Sequence, residues 1–239
     1  MSSKNWPRDP YSKDGEAMSP EEIKNMWNVN GKVQSSRGTL MHAHIEHHIN
    51  ADTIELPPSV EFVQFLDFWK HEVIDKKLVP FMTEASLFHI GLGCAGQADL
   101  LCHDEHGDVV IIDWKRSKEI KLSNRWQHMH FPIEAMDDCN YNHYCLQLNL
   151  YKYMLETEYD LKVSKMQLAI FHPNQETYKE IEVPSLPKEM SAIIEHEMAT
   201  GRAKEPVPGE DAPWQVCKRP ASPSDPNFMF VLSKKLKKV

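Results

Sequence analysis

The run Val109-Val110-Ile111-Ile112 limits the fold more than any other stretch of the chain, because four consecutive apolar residues leave no polar face. A strand with one solvated face alternates, so a continuous run reads as a strand covered on both sides by other elements. The chain therefore needs a central sheet with apolar layers above and below it. The run ends in Asp113-Trp114-Lys115. Successive strand residues point to opposite faces, so Asp113 and Lys115 share one.

Neighbouring segments supply the rest of the sheet. VPFMTEASLFHI from Val79 and CAGQADLLCHD from Cys94 read as two earlier strands, the second joined to the Val109 strand by a hairpin-type turn at His106-Gly107. KMQLAIFHP and TYKEIEVP read as later strands, Asn140 to about Thr157 returns to helical spacing, and Leu186 to Thr200 reads as a closing helix. Three helices are expected before the sheet. The first starts at Ser19-Pro20-Glu21-Glu22, with a capping serine, a proline at the first helical position and a glutamate three residues after the cap. It is expected to end near Asn30-Gly31; a second runs from about Gly38 to Ile49. A third follows Pro57-Pro58 with the stripe Phe62, Phe65, Leu66, Trp69 and Val73. The expected fold class is α/β, a mixed central sheet flanked by helices.

A chain of 239 residues with 41% hydrophobic content can bury one sizeable core. Residues 1–18 are expected to form a flexible arm, 19–200 the folded domain, and 201–239 a Pro-rich tail ending in SKKLKKV. No apolar run approaches the roughly 18 residues that cross a bilayer, and the opening residues lack a signal-peptide core. The expectation is a soluble intracellular protein with no membrane partner, in nucleus or cytoplasm. The five cysteines are an odd number without C-x-x-C spacing, which favours reduced thiols. A net charge of −8 excludes coating nucleic acid with the whole surface. It leaves room for a local basic stretch: Lys115, Arg116, Lys118, Lys121 and Arg125 stand against the single acid Glu119.

One hairpin before Asp113 lies Gly96-Gln97-Ala98-Asp99, where an acid interrupts an apolar strand. Asp99, Asp113 and Lys115 can converge on one point. Such carboxylates suit Mg²⁺ or Mn²⁺, and a lysine beside them can orient or deprotonate a metal-bound water or stabilise a charged transition state. The plainer alternative is a cross-face ion pair with Asp99 capping a turn.

These motifs and their order resemble the RecB-like branch of the PD-(D/E)XK nucleases. Arg37-Gly38-Thr39-Leu40-Met41-His42 with Glu46 resembles that branch's N-terminal helix, and Thr83-Glu84 its glutamate before the first catalytic strand. Gly96 to Asp99 resembles the G-x-x-D element, Asp113-Trp114-Lys115 the D-x-K element, and Gln147-Leu148-Asn149-Leu150-Tyr151 the Q-x-x-x-Y helix. The resemblance implies a metal-dependent deoxyribonuclease, an exonuclease acting on single strands or DNA ends in replication, repair or recombination, with a helicase or similar protein as partner. It implies Asp99, Asp113, Lys115 and Gln147 as catalytic residues. His42, Glu84, Asp99, Asp113 and the Trp114 carbonyl would hold one or two Mg²⁺ or Mn²⁺ ions, Glu46 orienting His42. Arg116, Ser117, Lys118, Lys121, Arg125 and Tyr151 would contact nucleic acid. The branch's iron-sulfur signature is missing, since only Cys217 lies in the downstream region where three cysteines would cluster.

Alternatives stay open. A cap-snatching RNA endonuclease also combines a helical histidine, acids and a lysine, although the Gln147 to Tyr151 element favours the RecB-like branch. A non-catalytic nucleic-acid-binding module would have lost an acid or the lysine, and none of the three is lost. Glu84 could simply face solvent, Gln147 and Tyr151 could pack the core with buried polar tips, and His44, His47 and His48 read as surface residues.

Overall fold

The computed structural model describes residues 12–13, 16–50 and 58–200. Most of the expected arm and the whole tail from Gly201, Cys217 included, lie outside the described residues. A two-residue strand pair, β1 (Ser12–Lys13) and β2 (Glu16–Ala17), precedes the first helix.

Where two helices were expected between Ser19 and Asn50, there is one: α1 (Pro20–Ile49), 30 residues long. Its start follows the sequence signal, with the Ser19 side chain accepting from the Glu22 backbone N–H and the Glu22 carboxylate accepting from that of Ser19. Its continuity has a physical reason. A glycine ends a helix by turning left-handed, and Gly31 and Gly38 are not among the residues with positive φ. In the helix each costs about 1 kcal/mol relative to alanine, which the chain tolerates.

Helix α2 (Val60–Phe68) is capped by Ser59 and runs into a π-helical segment, Trp69–Ile74. Phe65 and Phe68, three apart in α2, and Val73 in the π-helical segment are buried, while Leu66, expected on the same stripe, is exposed. The sheet then follows as β3 (Val79–His89), β4 (Cys94–His103) and β5 (Val109–Arg116). Helix α3 (Asn140–Glu158) crosses to β6 (Val163–Phe171), and β7 (Lys179–Glu182) and α4 (Pro187–Ala199) complete the fold. The strand order is β3-β4-β5-β6-β7, parallel between β5 and β6 and antiparallel elsewhere. This is the expected mixed sheet flanked by helices.

The apolar run behaves as its composition requires. Val109 and Ile111 join a core with Cys145, Leu148, Tyr151 and Met154 of α3. Val110 and Ile112 join the opposite core, with Met41 and Ile45 of α1 and Phe65 and Phe68 of α2. The β4–β5 hairpin is closed by Gly107 at φ +81°, a conformation that glycine adopts without steric cost.

Candidate active site

The sheet opens where the acids stand. Strands β4 and β5 pair from His103 and Val109 up to Leu100 and Ile112, and there their ladder ends. β4 continues along β3 to Cys94, and β5 continues along β6 to Arg116. Asp99 and Asp113 are the first residues beyond the last pair, one on each arm of the fork. The fork frees the Trp114 N–H from the β4 ladder, and Asp99 Oδ2 accepts from it at 2.7 Å. That bond fixes the Asp99 carboxylate and leaves Oδ1 for other partners.

The alternation of β4 also breaks at Asp99. Residues two apart on a regular strand share a face, yet Ala98 packs into the α3-side core and Leu100 into the α1/α2-side core. On the neighbouring strand Glu84 sits between the paired residues Thr83 and Ala85 with φ at +47°, strained backbone for a glutamate. The two irregularities turn Glu84 and Asp99 toward α1. There His42 Nδ1 lies 3.4 Å from Asp99 Oδ1 and 3.7 Å from Glu84 Oε1.

One ligand atom from each of His42, Glu84 and Asp99 lies within 4.8 Å of the other two. Burial works against a charged imidazole, but the carboxylates of Asp99 and Glu84 outweigh it and push the His42 pKa up to about 10. Asp113 is shifted upward as well, first by burial and then by the charge of Asp99, with Lys115 pulling the other way. A site that binds protons this strongly has an excess of negative charge for its polarity, which a divalent cation would relieve. One imidazole with hard carboxylate oxygens fits Mn²⁺, and Mg²⁺ if waters complete its shell.

On the α3 side, Lys115 Nζ lies 2.5 Å from Asp113 Oδ2, donates to Gln147 Oε1 at 3.1 Å and stands 4.9 Å above the Tyr144 ring. Gln147 Nε2 donates to the Tyr151 hydroxyl at 2.8 Å. Burial disfavours the ammonium, yet the Asp113 charge and hydrogen bond hold the Lys115 pKa above its ordinary value. Behind this chain lies Gly96: a Cβ there would sit 2.4 Å from Tyr151 Cε1, so the ring occupies the space that any side chain would need.

A sequence profile of the PD-(D/E)XK nuclease superfamily matches residues 60–219, from Val60 through β3 to β7 and beyond. The chain belongs to the PD-(D/E)XK nuclease superfamily. No curated protein sequence matches it. Among solved structures it is similar to SSO0001 at 16% identity and a TM-score of 0.35, over 75% of this chain and 67% of that one. It is also similar to a protein assigned as an exonuclease from Eubacterium rectale, at 12% identity and a TM-score of 0.42, over 70% of this chain and 65% of that one. The chain thus spans about two thirds of each.

Of the site residues expected from the superfamily motifs, His42, Glu84 and Asp99 form one cluster, with Asp113, Lys115 and Gln147 beside it. Trp114, whose carbonyl was expected as a ligand, lies at the fork, its ring buried against Phe65, Phe68 and Phe171. The partners of His42 Nδ1 are Asp99 and Glu84 rather than Glu46. His44, read as a surface residue, has its Nε2 buried and its ring edge-on to Phe62.

Two of the expected nucleic-acid contacts, Arg116 and Tyr151, have largely buried side chains. Arg116 follows Lys115 and so faces the opposite side of the sheet. Its side chain is only 5% exposed, with Nε 2.6 Å from Glu61 Oε1 and Nη1 bonded to Gln34. Tyr151 is buried in the α3-side core, the packing role its helical spacing also allowed. Ser117 spends its hydroxyl on the Glu119 carbonyl, while Lys118, Lys121 and Arg125 are exposed. Sequence reasoning missed Glu61, the acid that claims Arg116, and the contact of Tyr144 with Lys115. Tyr144 stands three residues before Gln147, a visible signal; Glu61 offered none.

Proposed function

We propose that this chain is a Mg²⁺- or Mn²⁺-dependent deoxyribonuclease of the RecB-like branch, cutting single strands or DNA ends as an exonuclease. The observation that carries the proposal is the fork, which places Asp99 and Asp113 on diverging strands between His42 and Glu84 on one side and Lys115 on the other. His42, Glu84 and Asp99 would hold the ion, with Asp113 beside them. When bound, the ion supplies a hydroxide-like water and neutralises charge at the phosphoryl group.

The chain's own residues would do the rest. Lys115, steered by Asp113 and Gln147, presents its ammonium to the scissile phosphate or to the attacking water. Tyr144 and Tyr151 restrict where that ammonium can go. What supports DNA over RNA is the Gln147 to Tyr151 element of the RecB-like resemblance, here a hydrogen-bonded extension of the lysine. The domain boundaries at about residues 19 and 200, with a flanking arm and tail, are part of the same proposal. No helix among the described residues is long and apolar enough to cross a membrane.

The test is a time course on end-labelled single-stranded DNA and matched RNA, with Mn²⁺, with Mg²⁺ and with EDTA, alongside a circular single strand. Metal-dependent loss of linear DNA, sparing RNA and the circle, is the expected result. Cutting of the circle would overturn the exonuclease mode, cutting of RNA alone the substrate, and no cutting with any ion the activity.

A further inference from the structure

Between β5 and α3 runs a loop, residues 117–139, that forms a depression of about 580 Å³ with the first turn of α3. Lys121, Arg125, Trp126, Asp138, Asn140 and His143 line it. At its mouth Trp126 is 90% exposed. Tryptophan is highly buried on average, so a nearly bare indole beside a basic pocket needs an account.

The loop's backbone is held firmly. Asn140 accepts from the Lys121 N–H at 2.8 Å and donates to the Glu119 carbonyl at 3.0 Å. Asn124 receives the Trp126 N–H at 3.1 Å, donates its own N–H to Asp137 and its amide to the Asp138 carbonyl. These bonds fix the backbone on which Arg125 and Trp126 are presented. Asp138, the one acid in the lining, pairs with His143 Nε2 at 2.7 Å, and the two cations Lys121 and Arg125 outnumber it.

The pocket is also in line with the chemistry. His143 and Gln147 are four apart on α3 and share a face. Asn140 lies seven residues before Gln147, about 10 Å along the helix at roughly 1.5 Å per residue. A strand with a phosphate at Lys115, bonded to Gln147, that ran along this face of α3 toward its N-terminus would reach the pocket. An indole stacks on a base only if that base is unpaired and turned outward, and paired bases in a duplex keep their faces inside.

We propose that this loop is a binding platform for single-stranded nucleic acid, in which Trp126 stacks on an unpaired base at the mouth of the pocket while Lys121 and Arg125 meet the flanking phosphates. The proposal deepens the nuclease reading and rests on it for the path of the strand. It gives that reading a reason to prefer unpaired substrates, since every base has a face to stack and a duplex offers none.

The test measures equilibrium binding of the full chain to a labelled oligo-dT, with Ca²⁺ in place of Mg²⁺ or Mn²⁺ to suppress cutting. Trp126→Ala should bind about ten-fold more weakly, the loss expected of one stacked base, and Trp126→Phe should regain most of the affinity. An abasic oligonucleotide with the same phosphates should bind wild type and Trp126→Ala equally. Wild-type affinity in Trp126→Ala, or a Trp126→Phe no better than alanine, would overturn the platform, as would an abasic strand that still separates the two proteins. Absence of cleavage by the wild type counts against the nuclease reading, whereas these affinities report on Trp126 alone.

Discussion

Lys115 and Arg116 are adjacent cations, each paired with a carboxylate, yet they belong to different regions of the molecule. Lys115 faces α3 at the open end of the fork, where the acids Glu84, Asp99 and Asp113 outnumber the cations His42 and Lys115. Arg116 faces α1 and α2, where Glu61 and Gln34 occupy its donors. Burial alone would raise Glu61, but its own backbone N–H and the Arg116 guanidinium hold it below the usual carboxylate range. One pair is closed on itself and the other is open to a third charge. What separates them is the partner that strand parity gives each one: Asp113 beside the fork for Lys115, and Glu61 of α2 for Arg116.

The largest expected effect lies on the open side. Asp113→Asn, and likewise Asp99→Asn, should abolish metal-dependent cleavage while leaving DNA binding in Ca²⁺ largely intact, because the amide keeps size and removes the charge that holds the ion. Initial rates on labelled single strands check this; a wild-type rate in either variant would make the pair ordinary. On the closed side the loss should be of stability. Glu61→Ala leaves a buried guanidinium unpaired, which costs about 3–5 kcal/mol, read from urea unfolding, while the protein that remains folded should still cut.

His42→Ala should raise the half-saturating Mn²⁺ concentration about ten-fold or more, measured from activity against Mn²⁺. The metal-free imidazole is held protonated up to about pH 10, and an ion must displace that proton to bind. Apparent Mn²⁺ affinity should therefore fall as pH falls, and more shallowly in the variant. An equally steep dependence would remove His42 from the ligands. The smallest effect is expected at Gly96→Ala, which must move the Tyr151 ring at a cost of about 1–3 kcal/mol. Its readout is a lower melting temperature together with slower cleavage, since Tyr151 supports Gln147; a lower melting temperature alone would separate the ring from the chemistry.

The sheet and its three acid and lysine positions were legible in the sequence because they are local. An unbroken apolar run, a hairpin turn and two-residue spacing suffice to put Asp99, Asp113 and Lys115 together. The helix through Gly31 was not legible, because a glycine stops a helix only if its backbone turns left-handed, and composition does not say so. The fate of Arg116 was hidden for another reason. Glu61 stands 55 residues away, and only the packing of α2 on the sheet brings it within reach. The cluster of His42, Glu84 and Asp99 came from motif order, while the left-handed backbone that aims Glu84 has no sequence mark.

Single-turnover cleavage by Lys115→Ala at saturating Mn²⁺ probes the open pair itself. The rate should fall by roughly 10² or more, as for a lost general base or electrostatic stabiliser, with the half-saturating Mn²⁺ concentration little changed. Lys115→Arg should fall short of full rate, because a planar guanidinium does not replace a compact ammonium. Normal cleavage by Lys115→Ala would mean that Lys115 and Asp113 are no more than an ion pair, like Arg116 and Glu61 on the other face.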